Sequence, residues 1–260
     1  MIWQNGNFFE SEQVSLHASD PVFSGMGAFE TLLGVRGKVF AWDAHAARLS
    51  RSLHLLGIPI PDLSKIPKVI SEILKSSSAE SRIRVTVTGN SEKVTNIIVS
   101  ASDYSRPVTE VTLATSSQSV NERSPLRQAK TLSYAENFLL QKEAETKKVD
   151  DVLVLNSSGD LAEASMSNVI IRHDGILKTP PLESGCLPGV TRGLLMEIEA
   201  SIREEVISRE VLAGADEVWL CNSLRRLQFA TELDGRTLHN PSCCFTDLSE
   251  ALESLISRGL

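Results

Sequence analysis

Residues 130–168 read KTLSYAENFLLQKEAETKKVDDVLVLNSSGDLAEASMSN. Lys130 stands just before a helix-forming run that covers about residues 135–148. The short apolar run at 152–155 predicts a buried strand, and after a turn Glu163 follows among small residues. The stretch therefore predicts one helix and one returning strand between a lysine and a carboxylate, and both of these side chains are candidates for the chemistry of the chain.

The composition predicts a globular protein. The chain has 260 residues, 42% of them hydrophobic, which suits one large or two medium domains with a sizeable core. Its net charge of −7 argues against a nucleic-acid partner. The first residues lack a signal-peptide pattern, and no apolar run reaches the roughly 20 residues that span a bilayer, so we expect a cytoplasmic protein with no membrane partner. The four cysteines show no CxxC spacing, so we expect no metal site.

A glycine-containing turn precedes a predicted strand near the N-terminus, in the sequence GMGAFET at residues 25–31. Because strand side chains alternate between the two faces, we expect Phe29 and Thr31 to point the same way. These side chains either line a binding site or belong to an ordinary hairpin, in which the glycines only make a tight turn.

Residues 43–56 form a predicted helix that ends at Gly57, with leucines at helical spacing on one side. Arg48 lies near the margin of this apolar stripe. It is either a surface residue whose stem covers apolar area or a residue that binds an anion. Arginine suits a phosphate because its planar group donates two parallel, charge-assisted hydrogen bonds.

The sequence LPGVTR at residues 187–192 opens a predicted helix that extends to about residue 201. A helix N-terminus has free backbone N–H groups and the positive end of the helix dipole, so Val190 and Thr191 are candidates for binding a phosphate. The alternative is an ordinary capped helix. Further on, a predicted strand that begins near residue 215 ends in polar residues around Ser223, followed by Leu224.

Two runs of β-branched residues, at 83–87 and 97–99, predict a β-hairpin with a turn at 89–91. Arg84 alternates with apolar residues on the first strand of this hairpin, so it lies on the less apolar face. Thr88 directly precedes the turn glycine.

In this order and spacing, these five blocks resemble the fold-type IV pyridoxal-phosphate enzymes. That family contains branched-chain and D-amino-acid aminotransferases and aminodeoxychorismate lyase. The resemblance implies a two-domain α/β (α+β) fold of the D-amino-acid aminotransferase type, with pyridoxal 5'-phosphate in the cleft between the domains and a homodimer as the assembly. We expect a smaller N-terminal α/β domain at 1–104, a polar linker at 105–110, and a larger cofactor-binding domain at 111–260.

The resemblance also implies roles for individual residues. Lys130 is implied as the catalytic lysine that bonds to the cofactor aldehyde, and the Glu163 carboxylate as the partner of the protonated ring nitrogen. The residues implied for cofactor binding are Arg48, Lys130, Tyr134, Glu163, Val190, Thr191 and Ser223. The residues implied for substrate binding are Phe29, Thr31, Arg84 and Leu224.

The activity implied first is that of 4-amino-4-deoxychorismate lyase, which eliminates pyruvate and leaves 4-aminobenzoate for folate synthesis. An amino-acid aminotransferase of the same family, for branched-chain or D-amino acids, is the alternative. A non-catalytic relative that acts as a binding module is a remote third. The lyase and the D-amino-acid enzyme usually have an arginine before the turn glycine, where this chain has Thr88. The residue that holds a substrate carboxylate is therefore not given by the resemblance.

Overall fold

The computed structural model describes residues 1–10, 13–76 and 80–258. The chain divides into two compact units, and each has its own curled β-sheet with helices packed on it. The predicted mixed α/β class is confirmed. The first unit consists of Met1–Arg106, Ala129–Ser133 and Leu255–Leu260, and the second of Pro107–Gln128 and Tyr134–Ser254.

The first unit is built on an antiparallel sheet. Its strands are β1 (Ile2–Gln4), β2 (Asn7–Phe9), β3 (Gly27–Val35), β4 (Lys38–Val39), β5 (Ser81–Gly89) and β6 (Val94–Asp103), in the order β2-β1-β6-β5-β3-β4. Its helices are α1 (Trp42–Leu55) and α2 (Ile66–Ile73), and short 3-10 turns cover Pro21–Ser24 and Leu74–Ser76. The predicted hairpin is the pair β5–β6.

Helices α1 and α2 cover one face of this sheet. Leu49 and Leu53 of α1 are fully buried, as the leucine spacing predicts. They belong to one apolar cluster with the alternate residues of β3 and β5 that face them. The opposite residues of these strands, which include Phe29, Thr31 and Arg84, lie on the other face of the sheet.

The segment 129–133 adds to the edge of β3. The backbone N–H of Phe29 donates to the Lys130 carbonyl at 2.9 Å, and the N–H of Leu132 donates to the Gly27 carbonyl at 2.9 Å. Ala28 and Thr131 form an antiparallel bridge between these two bonds. The sequence pattern counts Lys130 in the C-terminal domain, but in the structure its segment packs with the first unit because it completes this strand edge.

The second unit is built on a larger mixed sheet, ordered β12-β11-β10-β13-β14-β7-β8-β9, with β15 on β14. Its strands are β7 (Glu110–Val120), β8 (Asp151–Asn156), β9 (Leu161–Ala164), β10 (Asn168–His173), β11 (Ile176–Thr179), β12 (Arg203–Glu204), β13 (Glu217–Asn222), β14 (Arg226–Leu233) and β15 (Arg236–Thr237). Its helices are α3 (Ala135–Lys147), α4 (Val190–Ile198), α5 (Arg209–Ala213) and α6 (Cys243–Arg258). Helix α6 belongs to the second unit up to Ser254, and its last turn is counted with the first unit. In the described part of the chain, no helix combines the length and apolar content needed to cross a bilayer.

Strand β8 lies at the centre of the second core, and every residue of it is buried. Leu153 and Leu155 pack into a large apolar cluster on one face of the sheet. Val152 and Val154 face the other side, where Leu140 of α3 covers them. A strand buried on both faces reads as a continuous apolar run, which is why the sequence 152–155 predicts it correctly.

Strand β7 continues well beyond its apolar first half. Its second half is polar, but Ser119 and Val120 still pair with β8 after a register shift that follows Thr115. Glu143 of α3 satisfies polar groups of this strand end, since it accepts hydrogen bonds from Ser116 Oγ at 2.6 Å and from Ser117 N at 2.7 Å. The helix therefore supplies the partners that make a polar strand end stable.

We predict that Gly27→Ala destabilises the first unit. A Cβ atom at Gly27 would lie 2.6 Å from the Val87 carbonyl oxygen and 2.6 Å from a methyl carbon of Leu132, so the backbone must shift. Overpacking of this kind costs about 1–3 kcal/mol of unfolding free energy. Urea denaturation measures the loss. Gly193→Ala is the control, because the structure shows open space around Gly193 and alanine favours a helix; equal stabilities of the two variants would contradict the prediction.

Candidate active site

Three of the predicted substrate residues lie together on the open face of the first sheet. Thr31 on β3 stands directly opposite Arg84 on β5. The guanidinium carbon of Arg84 lies 3.8 Å from the centre of the Phe29 ring, a cation–π distance. Arg84 Nε also donates to Thr86 Oγ1 at 3.3 Å, so the aromatic ring and the hydroxyl together hold the guanidinium in place.

Lys130 belongs to the same group. Its Nζ atom lies 4.5 Å from the centre of the Phe29 ring, so the ring that holds Arg84 also contacts the lysine. The backbone N–H of Lys130 donates to Ser52 Oγ at 3.1 Å, and that hydroxyl donates to the Arg48 carbonyl at 3.0 Å. The ring therefore places the positive charge of Arg84 beside the lysine amine, an arrangement that attracts an anionic group.

Arg48 lies on the helix-covered side of the sheet, where it is buried in a pair with Glu30. Its Nε and Nη2 atoms donate to the two carboxylate oxygens of Glu30, at 2.8 Å and 2.7 Å. Both side chains are at least 95% removed from solvent, so Arg48 is not the surface residue that its place at the stripe margin suggested. The bidentate pair fixes the direction of the guanidinium.

His45 completes this buried cluster. Its Nδ1 atom lies 2.7 Å from Glu30 Oε2, and since an ionised carboxylate only accepts, the ring nitrogen is the donor. Burial lowers the pKa of His45, so the ring is neutral near pH 7. Burial alone would raise the pKa of Glu30, but the charge and hydrogen bonds of Arg48, with help from His45, lower it to about 2.

In the second unit, both carboxylate oxygens of Glu163 have a fixed donor. Arg127 Nη2 donates to Oε1 at 2.5 Å, and the backbone N–H of Leu187 donates to Oε2 at 2.9 Å. Arg127 Nε also donates to the Gly185 carbonyl at 2.8 Å. The carboxylate therefore has a defined orientation, and both side chains of the pair are mostly buried.

The N-terminus of α4 offers a place for an anion. Among the described residues, no group hydrogen-bonds to the Thr191 hydroxyl, although the residue is only 2% exposed. A buried hydroxyl without a hydrogen-bond partner costs free energy. This hydroxyl lies on the first turn of α4, where the backbone N–H groups have no partner within the helix. A side chain at Gly189 would collide with Asn168 Oδ1, so the approach to this helix end needs glycine.

The start of β10 connects these groups to the predicted contact residues near Ser223. Asn168 Nδ2 donates to the Leu187 carbonyl at 2.8 Å. One residue earlier, Ser167 Oγ accepts from Asn222 Nδ2 at 3.0 Å, and Asn222 Oδ1 accepts from the N–H of Leu224 at 3.0 Å. Glu163, the start of α4 and the 222–224 turn therefore meet at one end of the second sheet.

Tyr134 precedes the first turn of α3, and its ring contacts Phe138 edge-on at a centroid distance of 6.0 Å. Asn137 of the same turn donates to the Ser165 carbonyl at 2.6 Å, which ties this helix start to the residues after Glu163. Roles of Tyr134, Ser223 and Leu224 in binding stay predictions.

Comparison with known proteins identifies the class. The family model for amino-transferase class IV matches residues 27–233, and the chain belongs to this family. It is 28% identical over 264 residues to the aminodeoxychorismate lyase of Bacillus subtilis, a match that covers 90% of this chain and 87% of that protein. It is 25% identical over 264 residues to a putative branched-chain-amino-acid aminotransferase of Methanocaldococcus jannaschii, covering 92% and 90% of the two chains.

A solved structure shows the same architecture. The PLP-bound form of a hypothetical aminotransferase from Mycobacterium tuberculosis superposes with a TM-score of 0.88 at 25% identity, and the match covers 100% of both chains. The predicted fold-type IV architecture is confirmed. The protein is a pyridoxal-phosphate-dependent enzyme of the class that contains transaminases and lyases.

Each of the two units contains residues whose chemistry suits pyridoxal phosphate. The second unit has a buried, unpaired Thr191 hydroxyl at a helix N-terminus, which suits a phosphate, and an oriented Glu163 carboxylate, which suits a protonated ring nitrogen. The first unit has Lys130, whose amine suits the cofactor aldehyde. When bound, the cofactor supplies an electron sink for the carbon that carries the substrate amine.

Sequence patterns did not assign several of these partners. Glu30 lies inside the recognised GMGAFET block, but nothing in the block indicates that it pairs with Arg48. Arg127 stands three residues before Lys130 in a polar stretch without helix or strand periodicity. For Ser52 the sequence did contain a signal. It follows Arg48 by four residues, and this spacing places both residues on one side of α1.

We predict that Glu30→Gln lowers the free energy of unfolding by about 3–5 kcal/mol at pH 7, because it leaves the buried Arg48 charge without its partner. The folded-state pKa of Glu30, about 2, lies below its ordinary value of 4.5. Its stabilising effect is therefore complete above pH 4.5 and is lost as the pH falls from 4.5 to about 2. Urea denaturation across this range should show the difference between wild type and variant shrinking towards low pH.

Glu72→Gln is the control for this series. Glu72 pairs with Lys75 one turn away on the surface, and such exposed pairs contribute little. A Glu30→Gln difference that is the same at pH 3 as at pH 7 would contradict the buried ion pair.

Proposed function

We propose that the protein is a 4-amino-4-deoxychorismate lyase, which eliminates pyruvate from its substrate and leaves 4-aminobenzoate for folate synthesis. The observation that carries the proposal is the contact of Arg84 and Lys130 with the same Phe29 ring. This arrangement sets a carboxylate-binding group close to the amine that the chemistry needs. It favours an amine substrate with a carboxylate over an alkylamine without one.

Each residue has a role in this proposal. The start of α4, with Val190 and Thr191, holds the cofactor phosphate, together with Arg48 and Ser223. Glu163 holds the ring nitrogen protonated. Tyr134 and Leu224 border the site. These assignments fit the Thr191 hydroxyl, for which the described residues offer no hydrogen-bond partner, and the oriented Glu163 carboxylate.

Lys130 is the base of the proposed reaction. Its amine removes the proton from the carbon that carries the substrate nitrogen. The C–O bond to the three-carbon side chain then breaks, and the ring becomes aromatic. The side chain leaves as the enolate of pyruvate and takes up one proton, which balances the proton that Lys130 removed. No water or oxidant is consumed. Phe29 and Thr31 lie on the same face of β3, where they contact the substrate ring beside Arg84.

An amino-acid aminotransferase is the second candidate, favoured by the match to the branched-chain enzyme of M. jannaschii. In that reaction Lys130 would likewise remove the proton from the substrate carbon that carries the amine and hold it for transfer, and the bound cofactor would accept the amino group. The two reactions share the first proton transfer, so the same residues serve both. Their products differ.

The proposal includes the cytoplasm as the location of the enzyme. All four cysteines are free thiols, as is typical of proteins in a reducing compartment. Burial raises the pKa of Cys186 and Cys221 to about 12, so these two stay neutral and unreactive.

The products decide between the two candidates. Holoenzyme is mixed with aminodeoxychorismate, and separately with a panel of L- and D-amino acids plus 2-oxoglutarate. Release of 4-aminobenzoate and pyruvate in equal amounts is the expected result for the lyase. Transfer of amino groups to 2-oxoglutarate without any 4-aminobenzoate would replace the lyase with the aminotransferase.

Lys130→Ala should abolish either activity and leave the fold intact. The cofactor should still bind, but borohydride reduction should no longer attach it covalently, as measured by intact-protein mass spectrometry. Lys142→Ala is the matched control, since Lys142 is an exposed lysine paired with Glu145 on α3. Covalent attachment in Lys130→Ala at the wild-type level would overturn the assignment.

We also propose that the enzyme is a homodimer and that α3 lies in the interface. Phe138 and Leu139 of this helix are 62% and 57% exposed. Two adjacent large apolar side chains with this much exposed surface are typical of an interaction surface. Light scattering after gel filtration should give the mass of two chains for the wild type and of one for a Phe138→Glu/Leu139→Glu variant. Val206→Glu, at another exposed apolar position, should stay dimeric. A wild-type mass of one chain would contradict the proposal.

A further inference from the structure

Arg127 is a charged, mostly buried group that the proposed reaction does not use directly. Its side chain is 11% exposed, and its guanidinium donates hydrogen bonds to two different groups. Nη2 donates to Glu163 Oε1 at 2.5 Å, and Nε donates to the Gly185 carbonyl at 2.8 Å. One arginine therefore connects the carboxylate of Glu163 to a backbone carbonyl on a neighbouring turn.

The Gly185 carbonyl, which accepts a hydrogen bond from Arg127, belongs to a turn with a defined conformation. Gly185 ends the 3-10 turn Leu182–Ser184 with a positive φ of 91°, a conformation that favours glycine. An added Cβ would also lie 3.0 Å from the backbone of Glu122, so the turn packs closely against residue 122 and glycine fits there. The guanidinium therefore binds the carbonyl of a turn with a defined conformation through Nε, while Nη2 contacts Glu163.

We propose that Arg127 is a positioning residue for the reaction: it fixes the orientation of the Glu163 carboxylate and keeps it ionised towards the cofactor ring nitrogen. This inference rests on the proposed function, in which Glu163 holds that nitrogen. Arg127 and the N–H of Leu187 occupy one oxygen each, so together they fix the plane of the carboxylate.

The charge balance gives the reason. A mostly buried carboxylate that loses its positive partner takes up a proton more readily, and a neutral acid no longer stabilises a protonated ring nitrogen. Glu136 and Cys186 of the second unit also face the pair. Glu136 Oε2 lies 3.9 Å from Arg127 Nη1, and the buried Cys186 thiol, whose pKa is raised to about 12, is neutral. Of these two groups, neither carries a positive charge.

The test compares cofactor affinity in Arg127→Gln, Arg127→Lys, Glu163→Gln and the wild type, by titrating each apo-enzyme with pyridoxal phosphate and following tryptophan fluorescence. For Arg127→Gln, the ratio of its Kd to that of the wild type should rise about tenfold between about pH 8 and about pH 5.5, because losing an adjacent arginine raises a carboxylate pKa by about 1–3 units. Arg127→Lys keeps the charge, so its ratio should stay flat with pH even though it loses the second contact.

Two results would overturn the inference, and they are distinguishable. If Arg127→Gln and Arg127→Lys weaken binding equally at every pH, Arg127 has only a structural role. If Glu163→Gln binds the cofactor as tightly as the wild type at every pH, the assignment of Glu163 in the proposed function is wrong, and the inference falls with it. Weaker cofactor binding by Glu163→Gln, together with a Kd ratio that depends on pH for Arg127→Gln but not for Arg127→Lys, supports both the proposed function and this inference.

Discussion

The backbone pairing of residues 129–133 with the edge of β3 is the constraint on which the site in the first unit depends. In the described part of the chain, strand β4 pairs with Gly34 and Val35 at the end of β3, so the beginning of β3 has an edge that needs another partner. The segment supplies it through the bonds from Phe29 to Lys130 and from Leu132 to Gly27. These two main-chain bonds, together with the bond from the Lys130 N–H to Ser52 Oγ, fix where the lysine side chain starts, beside the Phe29 ring.

A second constraint is the buried cluster of Glu30, His45 and Arg48. Removing a charge pair from water costs several kcal/mol per ion, and the cost is met only if each charge is fully hydrogen-bonded. The two-point contact between Arg48 and Glu30, and the bond from His45, meet this condition. Since Ser52 on the same helix accepts a hydrogen bond from the Lys130 backbone, the cluster also sets the position of the helix that holds the lysine.

The sequence predicted most elements of this fold because their apolar periodicity is strong. The stripe of Leu49 and Leu53 and the continuous run of β8 have one physical interpretation each, and both are buried as expected. The extension of β7 was not predictable, since polar residues form strand there only because Glu143 satisfies them from another helix. In the same way, the family blocks identified Glu163 as a candidate, while its partner Arg127 lies in a stretch without any pattern.

A buried threonine and its polar neighbours occupy the position before the turn glycine, where the family usually has an arginine. Thr88 is fully buried, and its hydroxyl lies 2.7 Å from Thr95 Oγ1. Next to it, Asn96 Nδ2 donates to Asp20 Oδ2 at 2.5 Å, and Asn96 Oδ1 accepts from Gln4 Nε2 at 2.6 Å.

These buried polar groups are already paired with one another, and a substrate carboxylate that bound there would break bonds that each cost about 1–3 kcal/mol to leave unmade. Arg84 lies four residues earlier on the same strand, half-buried on the open face, with an aromatic ring and one hydroxyl as its neighbours. A guanidinium keeps its positive charge when it lies over an aromatic ring, and its planar fork matches the two oxygens of a carboxylate. A carboxylate at Arg84 would gain a charge-assisted contact, whereas at the position that the family pattern suggests it would have to break the hydrogen bonds of buried groups.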